Sequence, residues 1–339
     1  MAAQKEPKKI IIDTDPGIDD AMAIFLALRS PEVQVIGLTT IYGNVYTTLA
    51  TRNALHLIGE LLSPADVGQF KPNRLEFAGR TDIPVAEGSH VTLTKETKLH
   101  IRDSVHGADG LGNQNFPPPN GKPLEESAAA FFVNQAKANR GKITVVALGP
   151  LTNIALAIQM DPEFSKNIGQ IVLLGGAFAV NGSVNPSAET NILGDPDAAD
   201  VVFTSGADVL AVGINVTQQV VFTGSDREKL ASSKGKFAQY LNGILEVYFS
   251  NYCKAYNIKG IYLHDPTALL AVVDPSLVTF TEGVVRVQTN GITRGLTILE
   301  NKQKRFGEVT EWCNMPTVKV AVTVDAPRVV KLVLDRLLD

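Results

Sequence analysis

The apolar run Lys9-Ile10-Ile11-Ile12 breaks off into Asp13-Thr14-Asp15-Pro16-Gly17-Ile18-Asp19-Asp20, and a helical pattern from Ala21 to Leu28 takes over at once. A strand with no polar alternation has to be covered on both faces, as in a parallel sheet held between helices. The sign recurs along the chain. Runs over 10–14, 33–41, 143–149, 171–175 and 209–215 read as buried strands, and helical patterns near 19–29, 46–62, 124–139, 151–160 and 195–205 fall between them. That order implies βαβ units with right-handed crossovers. The expected fold is α/β and Rossmann-like, with a mainly parallel central β-sheet flanked by helices. At 339 residues and 45% hydrophobic content the chain can bury a large core, and one domain over 1–339 is expected, with 1–7 disordered.

In open sheets of this kind, ligands sit beyond the carboxyl ends of the strands. Those ends read Asp13-Thr14-Asp15, Thr40-Ile41-Tyr42-Gly43-Asn44, Ala147-Leu148-Gly149, Gly175-Gly176 and Gly213-Ile214-Asn215, so polar residues and glycines gather where a pocket should be. The prolines between 64 and 120 mark long loops. A long helix is expected over 234–256 and another after Asp265. Strands over about 277–324 and a closing helix over 326–338 complete the reading.

Charge and cysteines narrow the class. A net charge of -4, from 31 basic and 35 acidic residues, gives no electrostatic reason to expect nucleic acid or an anionic membrane as partner. Two cysteines, Cys253 and Cys313, do not make a disulfide framework. The charged N-terminus lacks the apolar core of a signal peptide, and no stretch has membrane-spanning length. A cytoplasmic protein acting on a small molecule is the expectation.

The turn after the first strand carries the chemistry. Its four carboxylates, Asp13, Asp15, Asp19 and Asp20, repel one another, and a divalent cation is the simplest relief. Oxygen ligands without Cys or His favour a hard ion such as Ca²⁺ or Mg²⁺. Helix capping would account for one acid, Asp19 or Asp20, but not for four. His264-Asp265-Pro266 can be read as an N-cap followed by proline at the first helical position, and equally as a carboxylate aimed at a metal beside a proton-carrying histidine. Glu189-Thr190-Asn191 ends a loop of small polar residues suited to sugar hydroxyls. Tyr248, Tyr252 and Tyr256 recur every fourth residue, a core stripe that could also stack on a planar base. His106 lies in a glycine-rich loop as a candidate substrate contact.

Taken together, the acidic turn, Asn44, His106-Gly107, Leu148-Gly149-Pro150-Leu151-Thr152-Asn153, Gly175-Gly176-Ala177, Ala188-Glu189-Thr190-Asn191 and His264-Asp265-Pro266 resemble, in order, the motifs of the inosine-uridine preferring nucleoside hydrolases. The resemblance covers most of the chain and is nearest to the plant branch, whose members favour uridine, inosine and xanthosine. It implies cleavage of the N-glycosidic bond by water, a resident Ca²⁺ and a homodimer. Carried over residue by residue, it makes Asp15, Asp20, Asp265 and the Leu148 carbonyl metal ligands, with Asp15 also the general base and Asp13 a support. Asp19 and Asn191 would hold ribose hydroxyls, Asn44 would support the ribose and metal site, and Glu189 would take the 5′-hydroxyl. His264 would help the base depart under Tyr248 and Tyr252. Three positions depart from the family pattern: Ser183 where asparagine is frequent, Thr190 where phenylalanine is common, and Leu174 where methionine is frequent. They put base preference, not the reaction, in question.

Two rivals remain at this stage. A metal-dependent phosphohydrolase would use Asp13 or Asp15 as nucleophile, but no basic phosphate clamp lies near the motif. A calcium-dependent nucleoside- or ribose-binding protein would keep the site and release no base.

Overall fold

The computed structural model describes residues 6–59, 78–94, 98–301 and 307–338. The strands are β1 (Lys8–Thr14), β2 (Val33–Thr40), β3 (Val85–Glu87), β4 (Ile143–Ala147), β5 (Gln170–Leu174), β6 (Val209–Val212), β7 (Val221–Thr223), β8 (Gly260–Tyr262), β9 (Val278–Val287), β10 (Thr297–Glu300) and β11 (Val318–Val324). Nine of them form one sheet in the order β10-β9-β11-β6-β5-β4-β1-β2-β3, and β7 and β8 form a separate ribbon. Every pairing in the large sheet is parallel except those of β9, which runs against both β10 and β11. The fold is the α/β architecture expected: β1, β2, β4, β5 and β6 match the five anticipated buried runs and β9 to β11 fall within 277–324, whereas β3, β7 and β8 were not anticipated.

Burial explains the unbroken apolar strands. Ile10 and Ile12 enter the hydrophobic cluster on one face of β1, and Ile11 enters the cluster on the other. All three are fully buried, which is worth about 1.5–3 kcal/mol for each side chain. The helix Ile18–Leu28 is buried from Ile18 to Ala27 because it is wedged between the sheet and the helices Lys236–Tyr256 and His264–Val273. On the opposite face lie the helices Ala128–Ala138, Thr152–Met160 and Pro196–Phe203. The chain leaves β1 toward β2 on one side, while β4 adds on the other. The carboxyl end of β1 therefore faces the crevice of a topological switch point.

Some local expectations change. The loop region 64–120 holds β3 and a short helix, Asp103–His106, and its residues 64–77 and 95–97 lie outside the described set. The helix expected over 46–62 is Thr47–Ile58; 60–62 lie outside the described residues, as do 1–5 of the segment expected to be disordered. Asp265 is not an N-cap: the helix opens at His264 with Leu263 as its cap, which puts Asp265 at the second helical position. At the acidic turn the N-cap is Gly17, and Asp20, at the third helical position, accepts the Gly17 backbone N–H at 3.0 Å.

Candidate active site

The acidic turn is held by its own backbone and by β2. Asp20 is the most fully partnered of its acids, taking hydrogen bonds from the Thr14 hydroxyl, the Asp15 and Gly17 backbone N–H groups and the Asn44 side-chain amide at 2.8 Å. Asp15 Oδ2 accepts the Asn44 backbone N–H at 2.7 Å, so one residue at the end of β2 ties two acids together. Asp13 Oδ1 accepts from Thr39 at 2.6 Å and Asn153 at 2.9 Å. Two glycines let the backbone pass close to Asp15. A Cβ on Gly43 would stand 2.0 Å from Asp15 Oδ2, and one on Gly149 would stand 2.9 Å from Oδ1.

Against that order, three buried carboxylate oxygens of the acidic turn have no hydrogen-bond partner: Asp13 Oδ2, Asp15 Oδ1 and Asp19 Oδ1. Such atoms are costly unless something outside the chain meets them. Oxygens of Asp19, Asp20 and Asp265 also lie within 4.8 Å of one another, all buried. Asp19 is the one residue common to both sets, and the expected ligand Asp15 stands outside the triple; hard anionic oxygens this crowded fit a hard divalent cation. The carboxyls carry the cost of crowding. Burial first, then the Asp20 charge, pushes Asp19 up to about 7. Asp15 is driven well above the carboxylate range by burial, then by Asp20, and Asp265 by burial, then by Asp19, Asp20 and Asp15. Burial lifts Asp13 to about 7 against the bonds from Thr39 and Asn153.

A pocket opens above this cluster, and every expected site residue lines it except Asp15 and Asp20, which lie beneath. The Leu148 carbonyl accepts the Asn191 amide at 2.7 Å, and the same amide reaches the Leu174 carbonyl at 3.1 Å, so Asn191 bridges the ends of β4 and β5. Glu189 caps the helix Thr190–Gly194, accepting the backbone N–H groups of Asn191, Ile192 and Gly176. Burial raises its pKa despite those bonds. Ser183 turns to the Thr190 hydroxyl at 3.0 Å.

Two histidines and the tyrosine stripe form the remaining wall. His106 Nδ1 accepts the Ile18 backbone N–H at 3.1 Å, which leaves Nε2 as the proton-bearing nitrogen of the neutral ring. The His106 ring stacks on Tyr248 at 5.1 Å, and the Tyr248 hydroxyl donates to Asp19 at 3.2 Å. His264 Nε2 lies 2.6 Å from the Tyr252 hydroxyl. Burial, then the Arg102 charge, lowers His106 to about 3 and His264 to about 4. Both rings are neutral near pH 7.

Arg102, Val105 and Ile214 also line the pocket, although the sequence reading singled out none of them. Arg102 donates to the Thr190 hydroxyl at 3.0 Å and is the one lysine or arginine among the described lining residues. Its position four residues before His106, across the one-turn helix Asp103–His106, is the only local signal. That helix was too short to announce itself.

A doubly wound α/β sheet with a buried acidic cluster and a His/Tyr wall at its switch point defines a hydrolase-type site for a small polar ligand. The family model described as inosine-uridine preferring nucleoside hydrolase matches residues 10–331. Among curated relatives, a probable uridine nucleosidase 2 of Arabidopsis thaliana is 69% identical over 98% of both chains. A pyrimidine-specific ribonucleoside hydrolase of an Enterobacter species is 34% identical over 97% of both. A solved plant nucleoside hydrolase superposes with a TM-score of 0.91 at 54% identity, covering 98% of this chain and 99% of that one. The chain belongs to the inosine-uridine preferring nucleoside hydrolase family, and is a hydrolase of N-glycosyl bonds in ribonucleosides.

Proposed function

We propose that this enzyme releases the base from uridine, inosine and xanthosine with a Ca²⁺ held by Asp15, Asp20, Asp265 and the Leu148 carbonyl. The observation that carries the reading is the buried acidic cluster at the pocket, where oxygens of Asp19, Asp20 and Asp265 converge and Asp15 Oδ1 and Asp19 Oδ1 have no hydrogen-bond partner. The names of the relatives support uridine: the Arabidopsis protein is named probable uridine nucleosidase 2 and a rice protein probable uridine nucleosidase 1. When bound, the cation would supply electrostatic stabilisation and a more acidic water.

Asp15 Oδ1, free of protein donors, takes the proton of the attacking water. Asp19 and Asn191 orient the ribose hydroxyls, with Asn44 keeping the acids in register and Glu189 meeting the 5′-hydroxyl. A ribose hydroxyl at Asp19 takes over the bond now made by Tyr248. The C1′–N bond breaks with its electron pair on the base while the water oxygen joins C1′. The ribose gains oxocarbenium character, which the surrounding carboxylates stabilise. A proton relayed through His264 and Tyr252 neutralises the departing base, and His106 offers its Nε2–H to the bound nucleoside from beside Tyr248. Ser183 stands where the family often has asparagine, and its shorter reach shapes substrate preference at the sugar end. Near-balanced charge supports a cytoplasmic enzyme with neither nucleic acid nor membrane as partner, and no described helix is long and apolar enough to cross a membrane. The working unit is taken to be a homodimer of one-domain chains.

A reducing-sugar assay on uridine, inosine, xanthosine, adenosine and cytidine, with and without chelator, tests the reading. Ribose release that needs Ca²⁺ and vanishes in Asp15→Ala is expected. Phosphate release from phosphate esters, or ligand-induced stabilisation without free base, would replace it with one of the two rivals.

A further inference from the structure

His264 is gripped at both ring nitrogens by hydroxyls. Nε2 meets Tyr252 at 2.6 Å on the pocket side, and Nδ1 meets Thr217 Oγ1 at 2.7 Å. Thr217 is fully buried and ends the short helix Ile214–Thr217 that follows β6, 47 residues from its partner in sequence. It does not line the pocket. Valine would fill the same space in this apolar setting, so the hydroxyl needs a reason of its own. Threonine in a helix commonly bonds back to its own turn; here the hydroxyl meets the histidine ring.

We infer that Thr217 is a positioning residue for His264, fixing which edge of the ring faces the pocket while the base departs. The inference rests on the proposed reaction and extends it to a residue that touches no substrate. A ring pinned at one nitrogen can swing about its Cβ–Cγ bond, whereas one pinned at both keeps a single plane and a single edge toward Tyr252. A hydroxyl suits this task better than a carboxylate or a backbone amide. Because it can donate or accept, it stays bonded to Nδ1 whether or not that nitrogen carries a proton. The order Thr217, His264, Tyr252, pocket thus survives a proton transfer without rotation of the ring. Orientation of the partner nitrogen by a group behind the histidine is a general way to hold an imidazole in place.

The test compares Thr217→Val and Thr217→Ser on uridine and on 4-nitrophenyl riboside, whose phenolate leaves without a proton. Thr217→Val is expected to lose about tenfold or more in kcat on uridine, within the about 10²–10⁴ that a positioned acid contributes, with KM changed less than about twofold. Thr217→Ser restores turnover, and the nitrophenyl substrate is cleaved by Thr217→Val at the wild-type rate. In a His264→Ala background Thr217→Val costs nothing further, since neighbours acting through one group are not additive. Thr217→Ala carries the same comparison if the valine variant does not fold. Equal losses on both substrates, a loss confined to KM, unchanged turnover, or additivity with His264→Ala would overturn the inference. If wild-type protein releases no base from any nucleoside, the proposed function itself fails, and the two failures are told apart.

Discussion

Added Ca²⁺ should stabilise the protein more as the pH rises from 5 to 7, and the size of the change can be worked from Asp19. Its carboxyl is lifted from 3.8 to about 7 by burial and the Asp20 charge. With a folded pKa above the unfolded one, the metal-free folded state binds the extra proton between those values. Its stability therefore falls as pH rises through the window and levels off above about 7. At 1.36 kcal/mol per unit, Asp19 alone costs the metal-free protein about 4 kcal/mol at neutral pH. Asp19 is not among the assigned ligands, but its carboxyl lies within 4.8 Å of those of Asp20 and Asp265, so a cation held there favours its ionised form and at pH 5 must first displace that proton. The penalty between pH 7 and pH 5 is about 3 kcal/mol, on the order of 100-fold in affinity. Asp15 and Asp265, also raised, act in the same direction.

Buried histidines pull the other way. His56, His106 and His264 have lowered pKa values, so each removes stability as pH falls from 6.5 toward 4. That contribution is common to protein with and without Ca²⁺ and largely cancels in the difference. At about 2.1 cal/mol/K per residue, the 339-residue chain unfolds with an entropy of about 0.7 kcal/mol/K, so about 3 kcal/mol is worth about 4 °C. Scanning calorimetry on chelator-treated protein, with and without excess Ca²⁺, reads the shift at each pH. The Ca²⁺-induced rise in Tm should be about 4 °C larger at pH 7 than at pH 5. A rise that is flat across this range, or larger at pH 5, would mean that the acids are already ionised without the ion, and the crowding argument would fail.

Two further outcomes follow from the same geometry. Gly43→Ala would drive a methyl into Asp15 Oδ2, the oxygen that Asn44 holds, and misplacement of a reacting group by about 1 Å costs about 100-fold in rate; steady-state kinetics should show that loss, while Gly224→Ala, with nothing within 4 Å, should leave kcat/KM unchanged. Arg102→Met removes the cation that helps burial depress His264, so the ring should titrate at a higher pH than in wild type by histidine proton NMR, and an unmoved or lowered titration would show that the guanidinium field does not reach it.

The sheet was legible because its strands are buried on both faces: Ile10-Ile11-Ile12 and Ile171-Val172-Leu173-Leu174 have no alternation to misread, and both are strand cores. The site was legible where chemistry sits at strand ends, since the switch point puts Asp15, Asn44 and Leu148 side by side whatever the details of the loops. What escaped has a different origin. β3 has three residues and the helix before Gly107 has four, too few for any periodicity. Asp265 was placed two positions early because proline suits any position in the first turn of a helix, where its missing N–H leaves no bond unmade. Arg102 and Thr217 reach the site only through packing, one across a loop and the other from behind His264, and no local pattern marks a side chain whose partner lies 47 or 88 residues away.

Arg102 also decides a contest that composition alone would misjudge. A histidine next to a cluster of carboxylates is expected to be held protonated, because opposite charge favours the imidazolium. At His264 the leading effect is burial, and the nearby guanidinium adds to it, so the ring rests neutral although Asp265 follows it in the chain. A divalent cation among the acids would cancel their attraction for a proton and leave burial and Arg102 in command. The acids and the histidines can then work at one pH, the first accepting a proton from water and the second passing one to the base.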